Sequence, residues 1–291
     1  MPSLKEVKTK ISGVKKTSQI TKAMNMVAAA RLRGAQEKME AFRPYTAKFN
    51  DAMSNLSGGA TTNQFPLMEN RDVKAVELVV VTSDRGLCGS YNANIVKLAL
   101  TKIKSYEKEG KKVSLVCVGK KGFQLLNKTG KVRKKYADIM SSFQMFNARE
   151  VATDLADNFL KGNSDKVEIL FGQFRSVAVQ VPTSVPFLPV QPVKDAAGVA
   201  KEKIISGDYI YEPSAEEIMD VLQPLYLNVI VYQAMLEVGA SEHAARMTAM
   251  DNATNACKDI VSSLTVIYNK ARQAAVTNEL MDIVGGAEAL K

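Results

Sequence analysis

Apolar residues recur three and four apart over two long stretches, one near each end of the chain. In the first, one register runs from Leu4 through Val7, Ile11, Val14, Ser18, Thr21, Asn25, Ala28, Leu32, Ala35, Met39, Phe42, Thr46, Phe49 and Met53 to Leu56. That is the seam of a long amphipathic helix. Roughly fifty residues rising 1.5 Å each make a rod on the order of 80 Å long, which must lie on something equally long. Gly13 and Gly34 each weaken such a helix by about 1 kcal/mol, and Pro44 predicts a kink. Each buried seam side chain returns about 1.5–3 kcal/mol, so burial dominates.

The second stretch, Ser214 to Val284, reads as one kinked helix. From Met250 its seam is expected at Ala253, Cys257, Ile260, Leu264, Ile267, Ala271, Ala274, Asn278 and Met281, a coiled-coil spacing that implies a partner helix. The flanking positions are Thr254, Ala256, Val261, Ser263, Tyr268, Ala275 and Thr277, with Lys270 alone charged. Flanks so poor in charge suit water badly and predict a further surface around the helix. Ile20, Met24 and Val27 form a second apolar stripe on the first helix and predict the same there. The two arms are expected to pair antiparallel, Leu4 to Leu56 against Met250 to Met281.

Between the arms the period changes. A break at Ser57-Gly58-Gly59-Ala60-Thr61-Thr62-Asn63 opens a separate unit. Ala75 to Thr82 reads as a strand, Asn92 to Glu107 as a helix, Lys112 to Val118 as a strand and Gly122 to Asn127 as a short helix. Lys131 to Tyr136 reads as a short strand and Asn147 to Leu160 as a helix. Val167 to Phe174 and Val177 to Val181 read as a hairpin-like pair, followed by an extended stretch holding Pro182, Pro186, Pro189 and Pro192. The fold class expected is α/β: a long antiparallel coiled coil of the N- and C-terminal helices with an inserted Rossmann-like α/β domain. The division is 1–57 for the first coiled-coil helix, 73–207 for the globular domain and 208–291 for the second helix.

Composition narrows the function. A chain of 291 residues with 46% hydrophobic and 24% charged residues folds and buries a core. The formal charge of +9 admits nucleic acid, an anionic membrane or an acidic protein as partner. Its distribution says more. Val7 to Gln36 holds seven bases and no acid, whereas Ser214 to Lys291 holds ten acids and five bases. Three widely spaced cysteines in apolar surroundings, Cys88, Cys117 and Cys257, argue against a disulfide framework or zinc site. The first residues lack the apolar core of a signal peptide. The most apolar run, Val221 to Leu236, is interrupted by Gln223, Pro224, Asn228 and Gln233, so no transmembrane segment is expected.

Catalytic chemistry finds little support. The loop Ser83-Asp84-Arg85-Gly86-Leu87-Cys88-Gly89-Ser90-Tyr91-Asn92 follows a strand and opens a helix, the place of a phosphate cradle. Its pattern is neither G-x-G-x-x-G nor a Walker A sequence, so a structural turn or partner contact is the stronger reading. Cys88 as a nucleophile would need a base, and the one histidine, His243, lies in the distant arm. Glu216 and Glu217 are adjacent on a helix and do not face each other. No catalytic residue, cofactor or metal ligand is expected.

Five segments carry a resemblance to a known family. They are Ile20-Thr21-Lys22-Ala23-Met24-Asn25-Met26-Val27-Ala28-Ala29, Ser83 to Gly89, Asp208-Tyr209-Ile210-Tyr211-Glu212-Pro213, Ala245-Arg246-Met247-Thr248-Ala249-Met250, and Tyr268 to Leu280. Together they resemble, end to end, the gamma subunits of F-type ATP synthases. The resemblance implies a non-catalytic central shaft that couples ion flow through a membrane ring of c subunits to conformational change in catalytic beta subunits. It also implies alpha, beta, epsilon and c subunits as partners, no nucleic acid, and a peripheral place on the cytoplasmic face of the bacterial inner membrane. Arg272, Gln273 and Thr277 fall where the family engages a beta-subunit catch loop. Lys8, Lys15, Lys16, Lys22, Arg31 and Arg33 form the basic face toward the beta subunits, and Tyr209 and Tyr211 fall on the epsilon and c-ring side. Asn278 and Val276 depart from the family's usual longer polar residue and isoleucine, so the catch differs in detail. The paired cysteines of the plastid form are absent. The rival readings are a coiled-coil nucleic-acid-binding or scaffolding protein, which predicts a salt-dependent hold on DNA, and a nucleotide-binding α/β enzyme.

Overall fold

The computed structural model describes residues 3–57, 65–190 and 214–289. Two helices dominate: α1, Leu4–Ser57, and α5, Ala215–Ala289. Both run unbroken through their prolines, Pro44 and Pro224. Between them come β1 (Ala75–Val81), α2 (Tyr91–Lys108), β2 (Lys112–Val118), α3 (Lys120–Leu126), β3 (Val132–Tyr136), α4 (Met145–Leu160), β4 (Lys166–Phe174) and β5 (Gln180–Leu188). By contacts the chain forms two compact units, one of residues 1–30 and 246–291, the other of residues 31–245.

In the first unit α1 and α5 run antiparallel. The Thr21 and Thr254 hydroxyls lie 2.7 Å apart, and Asn25 Nδ2 donates to the Met247 carbonyl at 2.8 Å. The partner number falls as the α1 number rises. The polar seam positions are therefore paired across the interface, a common device for fixing helix register. Val7, Ala28, Met250, Thr254 and Cys257 are buried. Every α1 position assigned to the seam is buried or half-buried.

On α5 the structure corrects the expected register. Ile260, Ile267 and Ala274 are exposed, while Thr254, Val261, Tyr268 and Ala275 lie inward with Met250, Cys257, Leu264 and Ala271. The alternation of four and three from Met250 runs through Thr254 rather than Ala253, which moves every second seam position by one residue. Asn278 and Met281 are also exposed. With Thr21 opposite Thr254, Leu4 falls about opposite Ala271, and beyond that α1 has no residues left to cover α5.

The second unit holds a five-stranded sheet in the order β3-β2-β1-β4-β5. β3, β2, β1 and β4 are parallel, and β5 closes the edge antiparallel to β4. The central strands bury Val76 to Val81, Leu115 to Val118 and Val167 to Leu170, runs that are apolar but for Glu77 and Glu168, as in a sheet covered on both faces. α2 and α4 contribute Ile95, Ala99, Ile103, Val151, Leu155 and Phe159 to the same core. The second strand of the expected hairpin lies later than Val177 to Val181: residues 176–179 make the turn, and β5 runs on through Pro182 and Pro186. Proline is tolerated there because an edge strand has one side free of ladder bonds. Parts of α1 and α5 belong to this unit as well. Arg43 pairs with Glu237 at 2.9 Å, and the Phe42 and Tyr232 rings meet edge to face. The second half of the α1 seam therefore pairs with α5 residues ahead of Met250, a correction to the expected Met250–Met281 partner.

By length and hydropathy alone α5 qualifies as a candidate membrane span, and 56% of its apolar window is buried within the protein. A core helix meets that test in the same way.

Candidate functional site

From Val276 to Ala287 every residue of α5 is exposed, with Val276, Leu280, Met281, Ile283 and Val284 open to solvent. A contiguous apolar surface of this kind on a helix marks a contact with another macromolecule. Arg272, Gln273 and Thr277 are all exposed at its base. The Thr277 hydroxyl donates to the Gln273 carbonyl at 2.9 Å. Gln273 and Thr277 share one face by their spacing, with Arg272 beside them. The three form one polar patch bordering an apolar tip.

The basic residues sit on α1. Lys8, Lys15, Lys16, Lys22, Arg31 and Arg33 are all exposed. Lys8, Lys15 and Lys22 are seven apart, so they form a line that drifts by only about 20° per step. Lys16 and Arg31 lie round the helix from that line. Arg33 bonds Glu37 at 3.2 Å with both side chains largely exposed, an arrangement worth little in stability. Exposed Ile20, Met26 and Val27 interleave with these bases. Tyr209 and Tyr211 lie outside the described residues.

The loop after β1 is a knot of hydrogen bonds. Asn92 Oδ1 accepts from the Ser83 N–H at 3.1 Å, and its Nδ2 donates to Ser83 Oγ at 2.8 Å. Asp84 spends its carboxylate on the backbone N–H groups of Lys120, Asp138 and Met140, at 2.9, 3.0 and 2.8 Å. The Ser83 N–H at the start of the loop is thus taken by a side chain of the loop itself, and the loop's one carboxylate is spent on neighbouring backbone. In open α/β sheets ligands bind where the strand order reverses, here beside β1 and β4. α5 fills that place: Ser241 Oγ donates to the Gly172 carbonyl at 2.9 Å, and Glu237 Oε2 accepts from the Phe174 N–H at 2.9 Å. Tyr91 is wedged there too, its phenol held well above the usual range by burial.

Two further charge clusters brace the sheet. Glu168 accepts from Lys102 at 3.0 Å, from Ser184 at 2.8 Å and from Tyr106, and pairs with Lys166 at 2.8 Å. Burial alone would raise its pKa, but these hydrogen bonds outweigh burial and bring it down to about 2. Arg133 bridges buried Glu77 at 2.6 Å and Asp154 at 2.6 Å. Both clusters are saturated by partners, as structural networks are. Among the described residues no group of three His, Cys, Asp or Glu is placed to hold a metal. All three cysteines are buried and unbridged.

The sequence patterns passed over Arg43, Glu237 and Ser241. One signal for Glu237 was available: a carboxylate inside the apolar run from Val229 to Ala240 needs a buried partner.

Residues 3–290 match the family model described as ATP synthase. Among curated relatives, the ATP synthase gamma chain of Desulfotalea psychrophila is 74% identical over the full length of both chains. That of Nitratidesulfovibrio vulgaris (strain Miyazaki F) is 49% identical, again over the full length of both. This chain belongs to the ATP synthase gamma chain family. Among solved structures it is similar to a chain of the Tetrahymena thermophila mitochondrial ATP synthase central stalk and c-ring, with TM-score 0.60 and 25% identity over 80% of this chain and 99% of that one. A chain of the Euglena gracilis mitochondrial enzyme shares the fold at TM-score 0.67 and 20% identity, over 99% and 94% of the two chains. A gamma chain is a non-catalytic subunit of the ATP synthase complex. Nothing among these relatives favours the nucleic-acid reading.

Proposed function

We propose that this chain is the central rotating shaft of a bacterial F-type ATP synthase, coupling ion flow through a membrane ring of c subunits to conformational change in catalytic beta subunits. The observation that carries the proposal is the exposed tip of α5, where charge-poor apolar turns follow the polar patch of Arg272, Gln273 and Thr277. A surface of that composition is suited to the inside of a surrounding protein ring. Alpha and beta subunits surround the two long helices in this reading, Arg272, Gln273 and Thr277 contact a beta subunit, and the epsilon subunit and c ring meet the other end, by way of Tyr209 and Tyr211. Residues 1–57 and 208–291 serve as the shaft and 73–207 as its head. The complex sits on the cytoplasmic face of the inner membrane.

The physical basis of coupling is asymmetry. Lys8, Lys15 and Lys22 form a line on one side of α1, so a turn of the shaft presents that line to each surrounding site in succession. Only contacts that differ between the open and closed states of a site shift its equilibrium. A one-sided cationic line facing acidic segments supplies such a difference, and the reciprocal effect of site occupancy on shaft angle follows from linkage.

The test is purification of the native assembly through a tag on this chain. Co-purification of alpha and beta subunits with ATP synthesis after reconstitution supports the proposal. Recovery of the chain alone, or with nucleic acid, refutes it.

A further inference from the structure

β4 is longer than the strand it pairs with. β1 accompanies β4 only as far as Leu170, and β4 continues to Phe174. On the other side β5 covers it to the end, with Pro182 opposite Gly172 and Gln180 opposite Phe174. Proline has no N–H to exchange, so Gly172 and Phe174, two apart, aim their backbone groups away from β5, toward the side where β1 has ended. Unpaired there, those groups would each leave a buried hydrogen bond unmade.

The two long helices supply the missing partners. From α5, Ser241 Oγ donates to the Gly172 carbonyl at 2.9 Å, and Glu237, one turn earlier, accepts from the Phe174 N–H at 2.9 Å. From α1, Arg43 Nη2 donates to the Phe174 carbonyl at 3.4 Å and to Glu237 Oε1 at 2.9 Å. Phe174 thus donates one hydrogen bond to α5 and accepts one from α1, and Glu237, 2% exposed, holds all three elements together. Glu77 is equally buried but ties only the interior of the head, to Arg133 on β3 and Asn158 on α4.

Resting on the rotor reading above, we propose that Glu237, with Arg43 and Ser241, is a positioning clamp that fastens the paired helices to the sheet and keeps the head and the two helices turning as one piece. With the carboxylate removed, Arg43 loses its buried counter-charge and Phe174 its acceptor, so the helices gain slack against β4. Slack of this kind costs coupling rather than chemistry, because none of these groups touches a nucleotide.

The experiment uses the complete enzyme in membrane vesicles, carrying E237Q or, as a control, E77Q. ATP synthesis driven by respiration and ATP hydrolysis by the released catalytic sector are both measured per assembled complex. For E237Q we expect synthesis to fall about five-fold or more, at the lower end of a typical coupling energy, with hydrolysis within about two-fold of the unchanged enzyme. R43K, which keeps the charge, is expected to fall in between. E77Q is expected to keep the synthesis-to-hydrolysis ratio of the unchanged enzyme even where less complex assembles. An unchanged ratio in E237Q, or the same split in E77Q, overturns the clamp. Should E237Q fail to assemble, the R43K S241A double variant is measured instead and judged by the same ratio. The unchanged chain distinguishes the two proposals: its failure to assemble with alpha and beta subunits refutes the rotor reading, whereas a coupled unchanged enzyme with a coupled E237Q refutes the clamp alone.

Discussion

Thr21 on α1 and Thr254 on α5 face each other with their hydroxyls 2.7 Å apart, in the middle of an otherwise largely apolar seam. Thr254 also bonds the Met250 carbonyl at 2.8 Å, and Thr21 the Ser18 carbonyl at 3.1 Å. Each hydroxyl has one proton, so one of the pair donates across the seam while the other accepts there and donates to the carbonyl of its own helix. Replacing one by valine leaves the other short of a partner, and T254V is expected to cost about 1 kcal/mol. T21V T254V replaces both with apolar groups of the same shape and is expected to be nearly neutral. Chemical denaturation of the four chains (unchanged, both single variants and the double) checks this, and additive losses would contradict the pairing.

Acid acts on the head through Glu168. Its pKa in the folded state is about 2, below that of an ordinary glutamate near 4.3. The folded state thus holds the ionised form more tightly than the unfolded chain does. The resulting stability is fully present above about pH 4.3 and is lost as pH falls toward 2. E168Q is expected to be less stable than the unchanged chain at neutral pH and to lose less between pH 5 and pH 2, as read from denaturation midpoints across that range. Parallel pH curves for the two chains would count against it.

Gly119 has φ 99°, and a Cβ there would sit 2.1 Å from the Thr82 carbonyl oxygen. The obstacle is backbone, which cannot swing aside as a side chain can. G119A is expected to destabilise the head by about 3 kcal/mol or more, through strain at a left-handed position combined with overpacking. Its thermal midpoint tests this. G130A provides the comparison, since Gly130 also has positive φ but open space around it, and it is expected to lose clearly less.

In the proposed rotor the exposed patch of Arg272 and Gln273 is the specific contact at the tip, and the final residues contribute less. R272A Q273A is expected to lower ATP synthesis in the assembled enzyme by an amount equivalent to about 1–3 kcal/mol per hydrogen bond lost. Deleting residues 286–291 is expected to lower it far less. Assembly and ATP synthesis measured on both variants decide the order, and a more harmful deletion reverses it.

The α1 seam was legible residue by residue because its periodicity is unbroken and its polar members keep step. The α5 seam was misplaced at one point with a clear cause. Thr254 looks like a flanking residue because its hydroxyl suits water, and Ala253 looks like a seam residue because it is small. The hydroxyl has a partner on the other helix, which no single-helix pattern can reveal, and choosing Ala253 carried the error to Ile260, Ile267 and Ala274. β1, β2 and β4 announced themselves as largely apolar runs, whereas most of β5 was expected as an extended stretch outside the sheet because of its prolines. The exposed patch at Arg272 was within reach of the sequence. The union of Arg43, Glu237 and Phe174 was not, because it depends on β1 ending four residues before β4 does, a matter of register between strands far apart in the chain.

The prolines of β5 have a consequence for the life of the chain before it meets any partner. Pro182 and Pro186 lie four apart, so both withdraw an N–H from the same, outward side of the strand. The outer rim of the sheet therefore offers gaps where a neighbouring copy would need donors in order to add a strand. An edge built this way resists strand addition by a second copy, so the residues that hide β5 from sequence patterns also blunt the edge of the sheet.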